Sequence, residues 1–330
     1  TNVNATTTAE VNNYSDLTDK MSDNVTNVVK LTSDITLNED YNTKISLEMS
    51  KTLDFNGFTL TIPQHYGLDL IYRNTLDLKF INSNSSKRAK LNLLTATGYT
   101  PINNEIKKAE YIVNFEMDGI DVEYIKDFEA FWQTSGDYKF NNVVLKNLKV
   151  TGFYEMVDTR AYKSVKFSNV TKESKNANSK TYLLQSSTLT VDDVIDADSI
   201  IEYSDREGTK IANRTATLDS IDTYFGPITV KAANSINEIR LVGDVQYGTV
   251  PAGILSSFNP RTTTENIFFG TGTAWAYFIN ETSVWSGFGS ETPVAYNDGK
   301  TKYGYRFQVK TNSGYQLASD LKVIYNGEDV

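Results

Sequence analysis

The chain has 330 residues, and 41 acidic against 32 basic side chains give it a formal net charge of −9 at pH 7. No run of Lys and Arg is long enough to follow a phosphate backbone, and no apolar stretch approaches the roughly 18 residues of a membrane span, so the sequence argues against a nucleic-acid partner and against membrane insertion. Cysteine is absent, which excludes disulfides and thiolate chemistry. We therefore expect an exported, extracellular protein, and a monomer.

The N-terminal residues divide into a polar segment and a short helix. Residues 1–12 are rich in Thr and Asn, and we expect a leader or linker there. Tyr14, Leu17 and Met21 follow at helical spacing behind polar residues that can cap a helix. An amphipathic helix at this position predicts a cap over the open apolar end of a stacked domain.

Residues 45–62 contain a pattern that returns along the chain. Two runs rich in Leu, Ile, Phe and Thr flank Asn56-Gly57, a pair that tolerates positive φ and marks a tight turn. An apolar residue followed by small or polar ones recurs at intervals of 23 to 37 residues, beginning at Phe55, Phe80, Met117, Phe140, Phe167, Val191 and Leu218. Such a period is typical of a β-solenoid, in which stacked coils share one apolar core. We predict an all-β fold with a solenoid over residues 13–225 and hydrogen-bonded ladders of corner Asn side chains.

Three segments of the first 62 residues resemble a known family. NYSDL at 13–17, VVKLTSDITL at 28–37 and SKTLDFNGFTLTI at 50–62 are similar to the pectate-lyase-like adhesive domains of Gram-positive bacterial surface proteins. The likeness is specific over residues 11–62 and continues as periodicity to residue 224. It implies a right-handed parallel β-helix (a β-solenoid) and a cell-surface, cell-wall-associated role. It transfers no catalytic residue, because the matching positions belong to the scaffold.

The repeat stops near Phe225. Residues 226–330 contain alternating runs separated by Gly-containing turns, which predicts a separate small β-sandwich domain. The last residues, YGYRFQVKTNSGYQLASDLKVIYNGEDV at 303–330, are similar to β modules that close many Firmicute surface proteins. This resemblance implies an Ig-like, accessory binding or spacer module.

Residues 123–138, EYIKDFEAFWQTSGDY, hold five aromatic side chains. That is more aromatic surface than one solenoid face usually hides, although an alternative is that these rings complete the core. A sugar ring stacks on an aromatic face while its hydroxyls bond to carboxylate and amide groups. We therefore predict a ligand-binding platform for a polysaccharide or glycoprotein, made of Tyr124, Asp127, Trp132, Gln133 and Tyr138.

Other polar clusters have simpler interpretations. The basic cluster at 87–90 and the polar run at 172–180 are predicted to be solvated loops. A contact between the basic cluster and an acidic glycan is an alternative. The acidic stretch at 191–207 is interpreted as corner and surface residues, with a Ca²⁺ site as the alternative.

Catalysis finds little support in the sequence. His65 is the only histidine, Asp192-Asp193 is the only Asp-Asp pair, and Asp158-Thr159-Arg160 is the one place where a base could lie near carboxylates. We expect no catalytic residue and no cofactor, and hence a non-catalytic adhesin. Two alternatives stay open: a polysaccharide lyase or hydrolase acting on a uronic-acid-containing polymer, and a purely structural stalk.

Overall fold

The computed structural model describes residues 5–96, 98–223, 226–243, 261–270, 274–278, 285–287, 302–306 and 308–330. Their regular structure is mostly β strand, as the sequence predicts. The chain divides into two compact units, Thr1–Ala232 and Ala233–Val330. The predicted boundary after residue 225 is too early, because the strand Ile228–Ala232 pairs with strands of the first unit.

Short parallel strands form three stacks in the first unit, and one pass of the chain through the stacks is called a coil here. Stack 1 contains Thr8–Val11, Val28–Leu31, Lys51–Asp54, Leu76–Ile81, Val113–Asp118 and the first halves of Phe140–Thr151 and Tyr162–Glu173. Stack 2 contains Ile35–Thr36, Thr59–Ile62, Ala89–Leu93, Ile120–Tyr124 and the second halves of the same two long strands. Stack 3 contains Thr43–Leu47, Leu68–Tyr72, Ile102–Ile106, Ala130–Thr134 and Glu155–Val157. Strands of neighbouring coils pair with each other, which satisfies their backbone groups.

The register of stack 1 defines an inward column of apolar side chains. The column contains Leu53, Phe80, Met117, Leu145 and Phe167. The predicted alignment of Phe80 with Met117 is confirmed, whereas the predicted members Phe55 and Phe140 lie outside this column. Leu53 and Phe55 are both apolar and two residues apart, so a shift by two residues preserves the pattern and the sequence does not separate the alternatives. Phe140 lies five residues before Leu145 and pairs with Tyr162 instead.

Asparagine corners connect stack 1 to stack 2. Asn56 adopts a φ of 49°, as its predicted turn requires. Asn169 Nδ2 donates to Asn147 Oδ1 at 2.8 Å, and Asn147 Nδ2 donates to Asp118 Oδ1 at 2.7 Å. The predicted ladder is thus present, but Asn147 occupies the corner in place of the predicted residues 141 and 142.

A helix at Tyr14–Ser22 packs against the first strands of stacks 1 and 3, as predicted. Asn13 Oδ1 accepts the backbone N–H of Asp16 at 2.9 Å and caps the helix. Leu17 and Met21 are buried and join the apolar core. Within the described ranges, no helix is long and apolar enough to cross a membrane.

The prediction of a leader over residues 1–12 is wrong for Thr8–Val11. This segment is the first strand of stack 1 and pairs in parallel with Val28–Leu31. Only Val11 of its four residues is buried. Such a short edge strand has the same composition as a linker, so the sequence alone gives no signal for it.

The parallel stacking ends with Tyr162–Glu173, well before the predicted residue 225. The predicted corners at 191 and 218 are instead the helix Val191–Val194 and the 3₁₀ helix Leu218–Ser220. The remaining strands of the first unit pair antiparallel. Ile228–Ala232 pairs with Tyr162–Glu173 on one side and with Ser199–Asp205 on the other. Ser199–Asp205 also pairs with Gly208–Ile211. Asp193 accepts the backbone N–H of Thr190 at 2.8 Å, so the same Asp-rich pattern that suits a corner here caps a helical turn.

The second unit has its own strands and its own small core. Its described strands are Asn234–Val242, Arg261–Thr262, Ile267–Phe269, Ala274–Phe278, Trp285–Gly287, Lys302–Arg306, Val309–Thr311, Tyr315–Tyr325 and Glu328–Asp329. Asn234–Val242 and Tyr315–Tyr325 pair in parallel, and the other described pairs in this unit are antiparallel. The β-sandwich stays a prediction.

Candidate ligand-binding cleft

The structure overturns the predicted exposed platform at Tyr124 and Trp132. The Trp132 side chain is 0% exposed, and its ring stacks on Phe115 with centroids 3.7 Å apart and planes 8° apart. Tyr124 is also buried, and its ring stacks on Phe153. Both residues lie in parallel strands at positions that face the interior, so their rings complete the core and are closed to a ligand.

The other predicted site residues are not brought together. Asp127 accepts three hydrogen bonds from the loop after the last parallel strand, from Lys175 N at 2.6 Å, Asn176 N at 3.0 Å and Asn176 Nδ2 at 3.1 Å. Gln133 faces outward from stack 3 and is half-buried, whereas Tyr138 is exposed in the loop that follows. Asp127 thus has a structural role, and Tyr138 alone of these three is exposed, because the Gln133 Nε2 atom is buried.

A cleft of about 560 Å³ lies on the outer side of stack 3 in the first coils. Its lining residues are Tyr41, Asn42, Lys44, Tyr66, Asp69 and Tyr99. The volume falls within the usual range of small-ligand sites. None of these residues is among those predicted as site residues, although the spacing of Tyr41 and Tyr66, 25 residues, equals the predicted interval from Phe55 to Phe80.

The strands of stack 3 fix the polar side chains of the cleft. Thr43–Leu47 and Leu68–Tyr72 pair in parallel, with Lys44 directly beside Asp69. Burial alternates along both strands, so these two side chains face outward while their neighbours fill the core. Lys44 has no ion-pair or hydrogen-bond partner among the described residues, and its ammonium group is available to a ligand.

The loops before these strands position the tyrosines. Asn42 Oδ1 accepts the backbone N–H of Gly67 at 3.0 Å. A Cβ atom at Gly67 would lie 2.2 Å from the carbonyl oxygen of Thr100, so only glycine permits this close approach of two loops. The approach brings the rings of Tyr66 and Tyr99 edge to face, with centroids 5.5 Å apart.

The cleft combines aromatic faces with hydrogen-bonding groups. Tyr41 is 63% exposed and Tyr99 is 46% exposed, so both rings present accessible surface. Asp69 Oδ2 accepts a long hydrogen bond of 3.4 Å from Asn42 Nδ2, which leaves capacity on both groups. This arrangement suits a ligand that has both apolar C–H surfaces and hydroxyl groups.

Lys172 contradicts the loop predicted from residue 172. It lies in the last parallel strand and is fully buried, and its Nζ donates to the carbonyl oxygen of Phe153 at 2.9 Å and to the Thr181 hydroxyl. Burial lowers the pKa of Lys172 to about 7, although Asp127 and Glu155 oppose the change. Because the ammonium group is closed to solvent, it has a structural role.

The Asp158-Thr159-Arg160 segment forms an ion pair of its own. Arg160 Nε and Nη2 donate to the two Asp158 oxygens at 3.0 and 2.9 Å, which lowers the pKa of Asp158. Nearby, burial raises the pKa of Glu155 to about 7, and the backbone N–H of Gln185, which donates at 2.8 Å, opposes the rise. Glu155 and Lys172 therefore hold the two ends of the same segment, residues 181–185.

The basic cluster is a solvated loop in part: Lys87 and Arg88 are exposed ahead of a strand, as predicted, whereas Ala89 and Lys90 belong to the strand Ala89–Leu93. Arg88 pairs with Asp121 at 2.6 Å and Lys90 with Glu123 at 2.7 Å, across neighbouring coils of stack 2.

In the part of the chain that the structure describes, no group of three His, Asp or Glu side chains is placed to hold a metal ion.

Comparison with known proteins gives no family for this chain. No family model, no curated protein and no solved structure matches it. The strand stacks and the cleft are therefore the features of the molecule that indicate a function.

Proposed function

We propose that this protein is a non-catalytic adhesin of a bacterial cell surface. In this proposal, the cleft on stack 3 binds a polysaccharide, or the glycan of a glycoprotein, on a host or neighbouring cell. The observation that carries the proposal is the convergence of three tyrosine rings on the Lys44 ammonium group, which has no partner among the described residues, and on Asn42 and Asp69, whose mutual hydrogen bond is long at 3.4 Å. Aromatic faces beside amide and charged groups are suited to the two kinds of surface that a sugar presents.

The proposal also includes the fold type of the two units. We infer that the three stacks form a right-handed parallel β-helix of the pectate-lyase-like adhesive type, and that the second unit is an accessory β-sandwich. The parallel register, the Asn ladder and the N-terminal helix support this inference. The lack of cysteine is compatible with an extracellular location in Gram-positive bacteria.

Binding is favoured over hydrolysis by the composition of the cleft. Most glycoside hydrolases use two carboxyl groups at the scissile bond, whereas Asp69 is the single carboxylate among the lining residues. A site of this kind is weak for each sugar unit. Many copies of the protein on one cell would strengthen adhesion through multivalency.

A glycan array probed with the purified chain tests the proposal. We expect binding that Tyr41→Ala removes and Tyr138→Ala leaves intact, because the second ring lies in a different loop. The reverse result would move the site back to the sequence-predicted location. Release of unsaturated or reducing sugars from pectins or host glycans would establish an enzyme instead. Absence of both glycan and cell binding would identify a stalk.

A further inference from the structure

We propose that the ligand of the cleft is an extended, linear saccharide chain that lies across the strands of stack 3, and that its binding surface continues to Phe128 and Gln133. This inference rests on the proposed function, because it concerns the same site. It commits to a polymer segment, and not to a single terminal sugar, as the unit that is recognised.

A column of polar side chains crosses four strands of stack 3. The register places Lys44 beside Asp69, Asp69 beside Asn103, and Asn103 beside Gln133. None of these four side chains is fully buried, and the residues on either side of the first three are buried, so the column faces outward. Neighbouring strands lie about 4.8 Å apart, so the four positions span about 14 Å along the stack.

A row of aromatic side chains follows the same direction. Tyr41, Tyr66, Tyr99 and Phe128 each lie two or three residues before a strand of stack 3, in four successive coils. Phe128 is 60% exposed. The three hydrogen bonds that Asp127 accepts hold the adjacent loop. The row therefore offers an accessible ring in each of the four coils.

Two polar groups of the column are free to bind. Lys44 and Asn103 have no side-chain partner among the described residues, whereas the Gln133 Nε2 atom is buried and unpaired there, so only the remaining surface of the Gln133 side chain can meet a ligand. An extended chain laid along the stack would meet one ring and one polar group on each coil. A single sugar would contact only one such pair, so the arrangement favours a polymer.

Chain-length dependence tests this inference directly. The probes are dimers to octamers of β-1,4-glucan, β-1,4-linked N-acetylglucosamine and α-1,4-galacturonan, measured by titration calorimetry with the full chain. We expect affinity to rise with length up to about four units, one for each coil, and then to level off. Equal affinity for dimer and octamer would overturn the inference but keep the proposed function. Failure of all three series to bind, together with no binding on the glycan array, would contradict both.

Two variants at the far end of the surface locate the polymer. Phe128→Ala and Gln133→Ala should each weaken octamer binding about threefold to tenfold and leave dimer binding unchanged, because the dimer does not reach them. Phe268→Ala removes an exposed ring of the second unit and is the matched control. Unchanged octamer affinity in both far-end variants, with unfolding midpoints as in the wild type, would exclude the extended surface.

Discussion

Each end of the parallel stacks contains a buried lysine, but only the N-terminal lysine has a carboxylate partner. Lys51 Nζ donates to Asp23 Oδ1 at 2.9 Å, to the Lys20 carbonyl at 2.9 Å and to the Thr26 carbonyl at 2.7 Å. Lys172 donates to a carbonyl and a hydroxyl group, both neutral. A counter-ion stabilises a buried charge, and without one burial favours the neutral amine.

The two ends therefore differ in how their charged groups respond to pH. Burial raises the pKa of Asp23, but hydrogen bonds from Thr26 and Lys51 outweigh it and hold this pKa well below its usual range. The N-terminal end therefore keeps its ion pair over the whole neutral range. At the other end the pKa values of Lys172 and Glu155 are both about 7. That end should respond to pH near neutrality.

Truncation of a buried aromatic side chain between the two ends should cause the largest loss of stability. Trp132→Ala should destabilise the first unit by about 3 to 5 kcal/mol, the usual loss for a buried aromatic side chain truncated in a core. Urea unfolding followed by circular dichroism measures it. Phe128→Ala, at an exposed ring nearby, is the control and should change stability by less than about 0.5 kcal/mol. Equal losses would mean that Trp132 is not core.

Removal of the ion pair between Asp23 and Lys51 should have the next largest effect on stability. Asp23→Asn removes the counter-ion of Lys51 while it preserves the side-chain shape. Loss of one partner from a buried ion pair is strongly destabilising, and we expect about 3 kcal/mol because Asp23 is partly exposed. Asp19→Asn, at an exposed position of the helix Tyr14–Ser22 that Asp23 follows, is the matched control. A loss no larger than that of the control would show that the backbone carbonyls alone stabilise Lys51.

The sequence predicts the stacked coils but not the residues at which they end. The Asn-Gly turn and the apolar period follow from backbone chemistry that short segments contain, so the parallel strands and the capping helix were predictable. The end of the stacking was not, because Val191-Asp192-Asp193-Val194 satisfies both a corner and a capped helical turn. Which one forms depends on the antiparallel strands that pack around it, and these are distant in sequence.

The site was less predictable than the fold. Aromatic density pointed to residues 123–138, but density does not distinguish a ring that fills the interior, such as Trp132, from one that faces solvent, such as Phe128. The cleft takes one tyrosine from each of three coils. Its residues are scattered in sequence, and the repeat interval between Tyr41 and Tyr66 was the one available signal.

The C-terminal end of the parallel stacks, where Lys172 has no carboxylate partner, should make the protein more stable as pH rises. The folded-state pKa of Lys172 is about 7, below the ordinary 10.5, so the unfolded chain binds the extra proton between these values. Stability from this group therefore increases with pH above 7, by at most about 1.4 kcal/mol per pH unit. Urea unfolding between about pH 7 and 9 measures the slope, and Lys172→Met should remove this contribution. An identical slope in the variant would contradict the assignment.

Glu155 should give the smallest effect, with the opposite sign. Its folded-state pKa is about 7, above the ordinary 4.5, so the folded chain binds the extra proton between these values and stability falls as pH rises through that window. Because Glu155 is half-buried and partly screened by solvent, the slope should be well below about 1.4 kcal/mol per pH unit. Glu155→Gln should flatten it in urea unfolding. Stability therefore falls with pH up to about 7 because of Glu155 and rises above about 7 because of Lys172, which predicts a stability minimum near pH 7. Glu155→Gln should abolish the fall below this minimum, and Lys172→Met should abolish the rise above it.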